Sequence, residues 1–132
     1  MTVRLVRCAR LYAGVPYAYA SIGTLPALVF TAGACPLDPD GNVIGPGDVP
    51  AQAGQAVSNL AEALAAAGSG LSRVLKTTIY VASSQREDLV AAWDVISSAF
   101  GEHDVPSTLL GVTVLGYPGQ LVEIEAVAIA DP

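Results

Sequence analysis

The last apolar segment of the chain places two glutamates on one side of a predicted strand. Residues 121–130 read LVEIEAVAIA, and side chains alternate across a strand, so Glu123 and Glu125 point to the same face. Burying an ionised carboxylate costs free energy unless other groups pair with it or donate hydrogen bonds to it. Neither Arg nor Lys occurs after Arg86. The two glutamates must therefore reach water, find donors elsewhere in the fold, or line a polar cleft.

The composition predicts one domain, residues 1–132, with a surface that another subunit partly covers. A chain of 132 residues can bury a single hydrophobic core. Apolar residues make up 52% of the chain and charged residues only 14%. A small monomer of this composition would expose an unusually uncharged surface. The net charge is −6, whereas a nucleic-acid partner requires a basic surface. We therefore expect a homo-oligomer that does not bind nucleic acid.

Few sequence features point to a membrane, a metal or a redox centre. No apolar run reaches 18 residues, and the N-terminus lacks the apolar segment of a signal peptide, so we expect a cytoplasmic protein without a membrane partner. Cys8 and Cys35 form no CxxC pair and are predicted to be reduced, small apolar residues. His103 is the only histidine and lies in a polar connection, where we expect a solvated surface residue. These residues predict no metal site.

Alternation and turn signals predict the order of the secondary-structure elements. The predicted strands cover residues 3–7, 18–23, 27–32, 74–81, 108–115 and 121–130. The predicted helices run from Pro50 to Gly68 and from a capping box at 84–87 to Gly101. This order predicts an α+β domain with one mixed sheet and two helices on one face. Because several strands are apolar on both faces, we expect the second face to pack against other copies in a ring.

The glutamates are also the strongest candidates for chemistry. The chain has no nucleotide-binding glycine loop and no nucleophile elbow. Carboxylates at the edge of a cleft can act as general acids or bases, and Glu123 and Glu125 fit that role. The alternative is that one or both bond to backbone amides or to arginines of a neighbouring subunit and have a structural role only.

Several motifs, in order along the chain, resemble the RidA/YjgF family, which is also named endoribonuclease L-PSP. They are Phe30-Thr31-Ala32-Gly33 with Pro36-Leu37-Asp38-Pro39-Asp40-Gly41, Gln55-Ala56-Val57-Ser58-Asn59-Leu60 with Ala67-Gly68, Lys76-Thr77-Thr78-Ile79-Tyr80-Val81, and Val122-Glu123-Ile124-Glu125-Ala126-Val127-Ala128. The resemblance extends from about residue 16 to residue 130. It implies a chorismate-mutase-like (bacillus-type) domain that assembles as a homotrimer with ligand clefts between subunits.

The resemblance also implies an activity and a set of site residues. Members typically hydrolyse reactive enamines and imines and release ammonia, without a cofactor. Glu123 corresponds to the family's water-positioning glutamate and is the predicted catalytic residue. The family's binding tyrosine corresponds to Tyr17 or Tyr19, because the spacing of the loop differs by two residues. Ala32 occupies the position of a family serine, and the amide of Gly33 follows it.

The chain departs from the family at the residue that binds the substrate carboxylate. Deaminating members carry an arginine in a P-x-R-S segment, and Ser107 stands at that position here. A guanidinium binds a carboxylate through two parallel hydrogen bonds, and no nearby Arg or Lys is predicted to replace it. Ser107, Thr108 and Leu109 would then form a neutral binding surface, with Glu123 facing Ser107 across a subunit boundary. A cleft plugged by Leu109 or Tyr117 would instead favour a structural role.

Two functions follow from this departure. The first is a hydrolase or deaminase that acts on a small imine or enamine without a carboxylate. The alternative is a non-catalytic trimer that binds a small metabolite between subunits and has a regulatory role. A third function, a nuclease, conflicts with the negative charge of the chain.

Overall fold

The computed structural model describes residues 3–23 and 27–130, so the predicted domain, 1–132, includes residues 1–2, 24–26 and 131–132 outside the described part. Within those ranges the chain forms six strands and two α-helices. They are β1 (Val3–Val6), β2 (Ala20–Gly23), β3 (Ala27–Phe30), α1 (Val49–Ala66), β4 (Val74–Val81), α2 (Arg86–Phe100), β5 (Ser107–Gly111) and β6 (Val122–Ala130). A 3₁₀ turn, Leu71–Arg73, precedes β4. The predicted number and order of strands and helices are confirmed.

The four-stranded sheet is mixed, as predicted. Its strand order is β3-β6-β4-β5, in which β4 and β5 run parallel and the other neighbours run antiparallel. The prediction that all strands join one sheet is wrong, because β1 and β2 pair only with each other. Both edges of β4 are already taken by β6 and β5, so β2 contacts β4 through the hydroxyl of Ser21, which donates to the carbonyl of Leu75.

The two helices cover one face of this sheet. The predicted apolar stripe of α1, Val57, Leu60 and Leu64, is buried, and Ile96 and Phe100 of α2 are buried against the same core. The sheet contributes alternate residues of its two central strands: Ile79, Val81, Val122, Ile124, Ala126 and Ala128. Glu123 and Glu125 therefore point to the opposite face, as the period of two in a strand requires.

The helix ends show how far local signals determine the fold. Asp48 caps α1 by accepting a hydrogen bond from the amide of Ala51 at 3.0 Å. Gly68, with φ of +77°, follows the last turn in a conformation that favours glycine. The predicted capping box of α2 is wrong, because the N-cap is Gln85 and its side chain makes no capping hydrogen bond. Ser83, two residues earlier, accepts a hydrogen bond from the amide of Gln85 and donates to Asp88.

Strand β5 is shorter than predicted because its partner ends first. The sequence predicts a strand over 108–115, but the ladder stops where Gly111 pairs with Val81, the last residue of β4. A β-carbon at Gly111 would lie 2.8 Å from the carbonyl oxygen of Ser83, so glycine also allows the close approach of this turn. Val114, beyond the ladder, is 77% exposed.

The face of the sheet opposite the helices, here called the open face, is apolar only in part. Leu28, Phe30 and Leu110 are exposed there. The strand registers add polar side chains to the same face, namely Lys76, Thr78, Tyr80, Thr108, Glu123 and Glu125. The prediction of strands that are apolar on both faces is therefore only partly correct. Assembly as a trimer stays a prediction, and the exposed side chain of Phe30 is its main support.

The described residues contain no helix that is long and apolar enough to span a membrane. His103, expected on the solvated surface, is half-buried, and its Nε2 lies 2.7 Å from the carbonyl oxygen of Val74. This histidine thus joins the connection after α2 to the start of β4.

Candidate functional site

Glu123 is held by neutral donors from two loops. The thiol of Cys35 and the side-chain amide of Gln120 each donate to Oε1 of Glu123 at 3.2 Å. No arginine or lysine forms a salt bridge with this carboxylate in the described part of the chain. Of the alternatives that the sequence leaves open for the glutamates, Glu123 therefore follows the second: it finds donors elsewhere in the fold. These donors keep the carboxylate hydrogen-bonded in a half-buried position.

The loop that carries Cys35 is fixed to α1 and β6. The side-chain amide of Asn59 donates to the carbonyls of Cys35 and Leu37 at 2.8 and 2.9 Å. Ala34 exchanges two backbone hydrogen bonds with Ile124. Since Ile124 directly follows Glu123, the same ladder that extends β6 places this loop beside the carboxylate.

The loop that carries Gln120 is fixed by a second buried amide. Gln52 of α1 is fully buried, donates to the carbonyl of Gly119 at 3.0 Å and accepts from the amide of Leu121 at 2.7 Å. Gln120 is itself 3% exposed, and its amide also donates to the carbonyl of Val122 at 3.0 Å. Both donors to Glu123 therefore lie on loops that α1 holds in place.

Gly33 packs directly against the carboxylate of Glu123. A β-carbon added at this position would overlap Oε2 of Glu123, so only glycine leaves that oxygen its present location. Ala32, the preceding residue, is exposed. Two of the predicted site residues, Gly33 and Glu123, thus lie side by side in a single chain.

Replacing Gly33 with Ala is expected to displace the Glu123 carboxylate with little loss of stability. The atoms that the new methyl group meets belong to the end of a flexible side chain, which can rotate away at a cost of about 1 kcal/mol. The midpoint of urea unfolding should therefore change little, whereas activity that depends on Glu123 should fall at least about 10-fold. Gly70→Ala is a matched control, since a β-carbon there meets no atom within 4 Å.

The thiol of Cys35 stays protonated under ordinary conditions. Burial, together with the hydrogen bond to Glu123 and the negative charge of that residue, raises the pKa of Cys35 from 9.0 to about 11. The second glutamate of the strand has a separate partner. The hydroxyl of Tyr80 donates to Glu125, and this bond is the largest cause of the raised pKa of Tyr80.

A cavity of about 480 Å³ lies at the edge of the sheet, next to β5. Its lining consists of two aromatic residues, one proline and three consecutive residues of β5: Pro16, Tyr17, Trp93, Ser107, Thr108 and Leu109. The rings of Tyr17 and Trp93 meet edge to face with centroids 6.5 Å apart. The helical spacing of Trp93 with Ile96 and Phe100 predicts a core position for Trp93, but the structure leaves it half-buried with access to this cavity.

The two candidate tyrosines lie in different surroundings. Tyr17 lines the cavity, and its carbonyl accepts a hydrogen bond from Arg7, which also pairs with Asp104 at 2.5 Å. The hydroxyl of Tyr19 donates to the carbonyl of Tyr12 at 2.6 Å, and its ring meets that of Tyr17 edge to face with centroids 6.0 Å apart. Tyr17 is therefore the tyrosine that the fold brings together with Ser107 and Leu109.

Glu123 and Ser107 point to opposite faces of the sheet. Ser107 is in register with Thr77, and their hydroxyl oxygens lie 2.6 Å apart. Glu123 is in register with Tyr80. Because Thr77 and Tyr80 are three residues apart on one strand, their side chains lie on opposite faces. The predicted residues thus form two separate groups in one chain, one around Glu123 and one around the cavity.

A lysine lies closer to the predicted binding surface than the sequence indicated. Nζ of Lys76 donates to the hydroxyl of Thr108 at 2.6 Å, and burial lowers the pKa of this lysine. That no nearby Arg or Lys replaces the missing arginine stays a prediction. Lys76 is on the open face, however, opposite to Ser107.

Within the described ranges, no group of three or more His, Cys, Asp or Glu side chains could hold a metal ion.

Known proteins similar to this chain agree in sequence and in fold. A family model described as endoribonuclease L-PSP matches residues 9–130. The RutC family protein slr0709 of Synechocystis is 34% identical over 98% of both chains. The 2-iminobutanoate/2-iminopropanoate deaminase of Capra hircus is 31% identical over 98% of this chain and 91% of its own. The crystal structure of YyfB, a protein of unknown function of the conserved Rid family from Yersinia pestis, superposes with a TM-score of 0.91 at 28% identity, covering 98% of this chain and 99% of its own. The chain belongs to the RidA/YjgF family.

Proposed function

We propose that this protein hydrolyses a small imine or enamine that carries no carboxylate, with Glu123 activating the attacking water. The observation that carries the proposal is the arrangement of the Glu123 carboxylate. Its Oε1 accepts from two neutral donors, and its Oε2 lies beside Gly33, where a side chain would overlap it. A carboxylate with one oxygen held and the other oxygen left to accept a proton is suited to general-base catalysis.

The reaction requires one water and releases one ammonia. Glu123 accepts a proton as the water oxygen forms a bond to the imine carbon. That proton passes to the nitrogen and gives a carbinolamine. Glu123 then moves the hydroxyl proton of the carbinolamine to the nitrogen, the carbon–nitrogen bond breaks as the carbonyl bond forms, and a carbonyl compound and ammonia leave. The relatives named 2-iminobutanoate/2-iminopropanoate deaminase support this type of reaction, although their substrates are carboxylates.

The cavity beside β5 supports a neutral substrate. No charged side chain is among its lining residues, which include the apolar or aromatic side chains of Tyr17, Trp93 and Leu109. The family's arginine position is Ser107, whose hydroxyl is already 2.6 Å from that of Thr77 and 3.1 Å from the carbonyl of Val105. Losing a charge-assisted pair lowers carboxylate affinity by about 2–5 kcal/mol.

A neighbouring copy of the chain would complete the site. Since Glu123 and the cavity-lining Ser107 point to opposite faces of one sheet, we infer that the cavity of one subunit meets the Glu123 of the next in a trimer. This arrangement agrees with the exposure of Phe30 and Leu28 on the open face, which an adjoining subunit would cover.

The test compares two kinds of imine. An amine oxidase acting on a primary amine supplies neutral imines, and an amino-acid oxidase supplies imino acids, with ammonia release measured above the spontaneous rate. We expect acceleration for neutral imines and little or none for imino acids. Faster hydrolysis of imino acids that is lost in Lys76→Met would instead assign carboxylate binding to Lys76 and overturn the neutral substrate.

A tryptophan at the cavity makes the second candidate, a metabolite-binding protein, directly testable. Trp93 is the only tryptophan of the chain and lines the cavity, so its fluorescence reports occupancy directly. A saturable fluorescence change with neutral aromatic amines or aldehydes, without acceleration of any imine, would favour binding without catalysis. Acceleration that Glu123→Gln removes would favour the hydrolase.

A further inference from the structure

Three side chains, from two loops and strand β6, form a hydrogen-bonded cluster at a single carboxylate oxygen. They are Cys35, Gln120 and Glu123, here called the thiol–amide–carboxylate cluster. Both donors share Oε1 of Glu123, each at 3.2 Å, and neither donates to Oε2. A carboxylate can accept hydrogen bonds at both of its oxygens, whereas here the second oxygen faces Gly33.

The amide of Gln120 is committed to this orientation. Its Nε2 donates to the carbonyl of Val122 at 3.0 Å as well as to Glu123, and its Oε1 accepts from the amide of Tyr117 at 3.2 Å. With 3% of its surface exposed, the side chain cannot reverse its amide without leaving buried groups unpaired. The donor toward Glu123 is therefore fixed by the loop.

The thiol of Cys35 is also oriented by its surroundings. Its sulfur lies 3.5 Å from the carbonyl oxygen of Gly33 and 3.2 Å from Oε1 of Glu123. The side-chain amide of Asn59 holds the backbone here by donating to the carbonyls of Cys35 and Leu37. The raised pKa of Cys35 means that the thiol is the donor at neutral pH. Among the described groups, Glu123 is the charged side chain that faces it, and Gln120 is the neutral polar one.

We propose that Cys35 and Gln120 are positioning residues that hold Oε1 of Glu123 and thereby reserve Oε2, beside Gly33, for the attacking water. This inference rests on the proposed hydrolysis. The cluster thus sets the direction of the proposed base without a cation.

The first experiment tests the contact without any catalytic assay. In a Cys8→Ser background, Cys35 is the only thiol, and its alkylation by iodoacetamide is measured at pH 8, where the thiolate reacts. We expect Glu123→Gln to speed alkylation about 10-fold for each unit by which it lowers the thiol pKa. Glu125→Gln, on the same strand, should leave the rate unchanged. Equal rates in the Glu123→Gln and parent proteins would overturn the contact.

The second experiment tests positioning with kinetics. We expect Cys35→Ala to lower kcat about 10-fold with KM nearly unchanged, since a hydrogen bond to a charged group is lost at the base rather than at the ligand. Cys35→Ser should recover most of that loss, because its hydroxyl still donates to the carboxylate. Gln120→Leu, which removes the other donor to Oε1, should likewise lower kcat with KM nearly unchanged.

The outcomes separate this inference from the proposed function. If the parent protein accelerates no imine, the proposed hydrolysis fails, and the positioning role fails with it even where alkylation shows the contact. If the parent protein is active and Cys35→Ala and Gln120→Leu match it in kcat, the positioning role alone is overturned. Equal losses in Cys35→Ala and Cys35→Ser would indicate packing around the thiol instead of hydrogen bonding, and would also contradict the inference.

Discussion

Replacing Glu123 with Gln is expected to abolish imine hydrolysis and to leave the protein folded. The amide has nearly the same shape as the carboxylate and retains an oxygen that can accept from Cys35 and Gln120, both 3.2 Å from Oε1. It cannot accept a proton from water. General-base catalysis is worth about 10²–10⁴-fold in rate, so the loss should be of that size.

The stability of this variant separates a cleft residue from a buried structural carboxylate. Two hydrogen bonds to a charged oxygen become hydrogen bonds to a neutral one, and we expect a loss of about 1 kcal/mol in the free energy of unfolding. Urea denaturation followed by circular dichroism measures it. A loss above about 4 kcal/mol would indicate that Glu123 is required by the fold.

Glu125 provides the matched control for Glu123. It lies on the same strand and the same face, but the hydroxyl of Tyr80, rather than the two loops, donates to it. Glu125→Gln should therefore keep the hydrolytic rate of the parent protein. Equal loss in both variants would show that the charge of the open face, and not the position of Glu123, matters for the reaction.

The sequence predicted most of the fold because many of its signals are local. The end of α1 is marked by Gly68, and Glu123 falls on its face because strand side chains alternate. The end of β5 could not be read in this way. Its β-branched residues continue past Gly111, whereas the ladder depends on where β4 ends, at Val81.

The surroundings of the candidate site were harder to predict because they depend on contacts between distant residues. Cys35 lies 88 residues before Glu123, and its spacing to other cysteines gave no indication of a carboxylate partner. Lys76 reaches Thr108 over 32 residues because β4 and β5 pair in parallel. Trp93 fits a helical stripe equally well whether its ring enters the core or the edge of a cavity. Its large ring on a helix beside the strand of Ser107 was the available signal.

Replacing Phe30 with Asp is expected to convert a trimer into a monomer. Phe30 is 73% exposed in the single chain and lies on the open face, in register with Val127. Burying a side chain of this size contributes about 1.5–3 kcal/mol, and an aspartate would add the cost of burying a charge without a partner. Light scattering should give three times the mass of one chain for the parent protein and one chain mass for the variant.

Val90→Asp is the matched control for Phe30→Asp. Val90 is 49% exposed on α2, on the other side of the sheet, so the same change there should leave the mass of the assembly unaltered. A parent protein that is already monomeric would contradict the trimer and the shared site together. A trimer that tolerates Phe30→Asp would show that subunits meet elsewhere.

The proposed trimer also predicts how activity depends on neighbouring subunits, and a mixture of two inactive variants can test this. Glu123→Gln should remove the base and Trp93→Ala the apolar wall of the cavity, so each variant alone should be nearly inactive. If the base and the cavity of one site come from neighbouring subunits, co-expression of the two variants should restore about a quarter of the sites, because random mixing pairs an intact base with an intact cavity at that frequency. A mixture that remains inactive would place both groups in the same subunit, and the exposed open face would then have no part in catalysis.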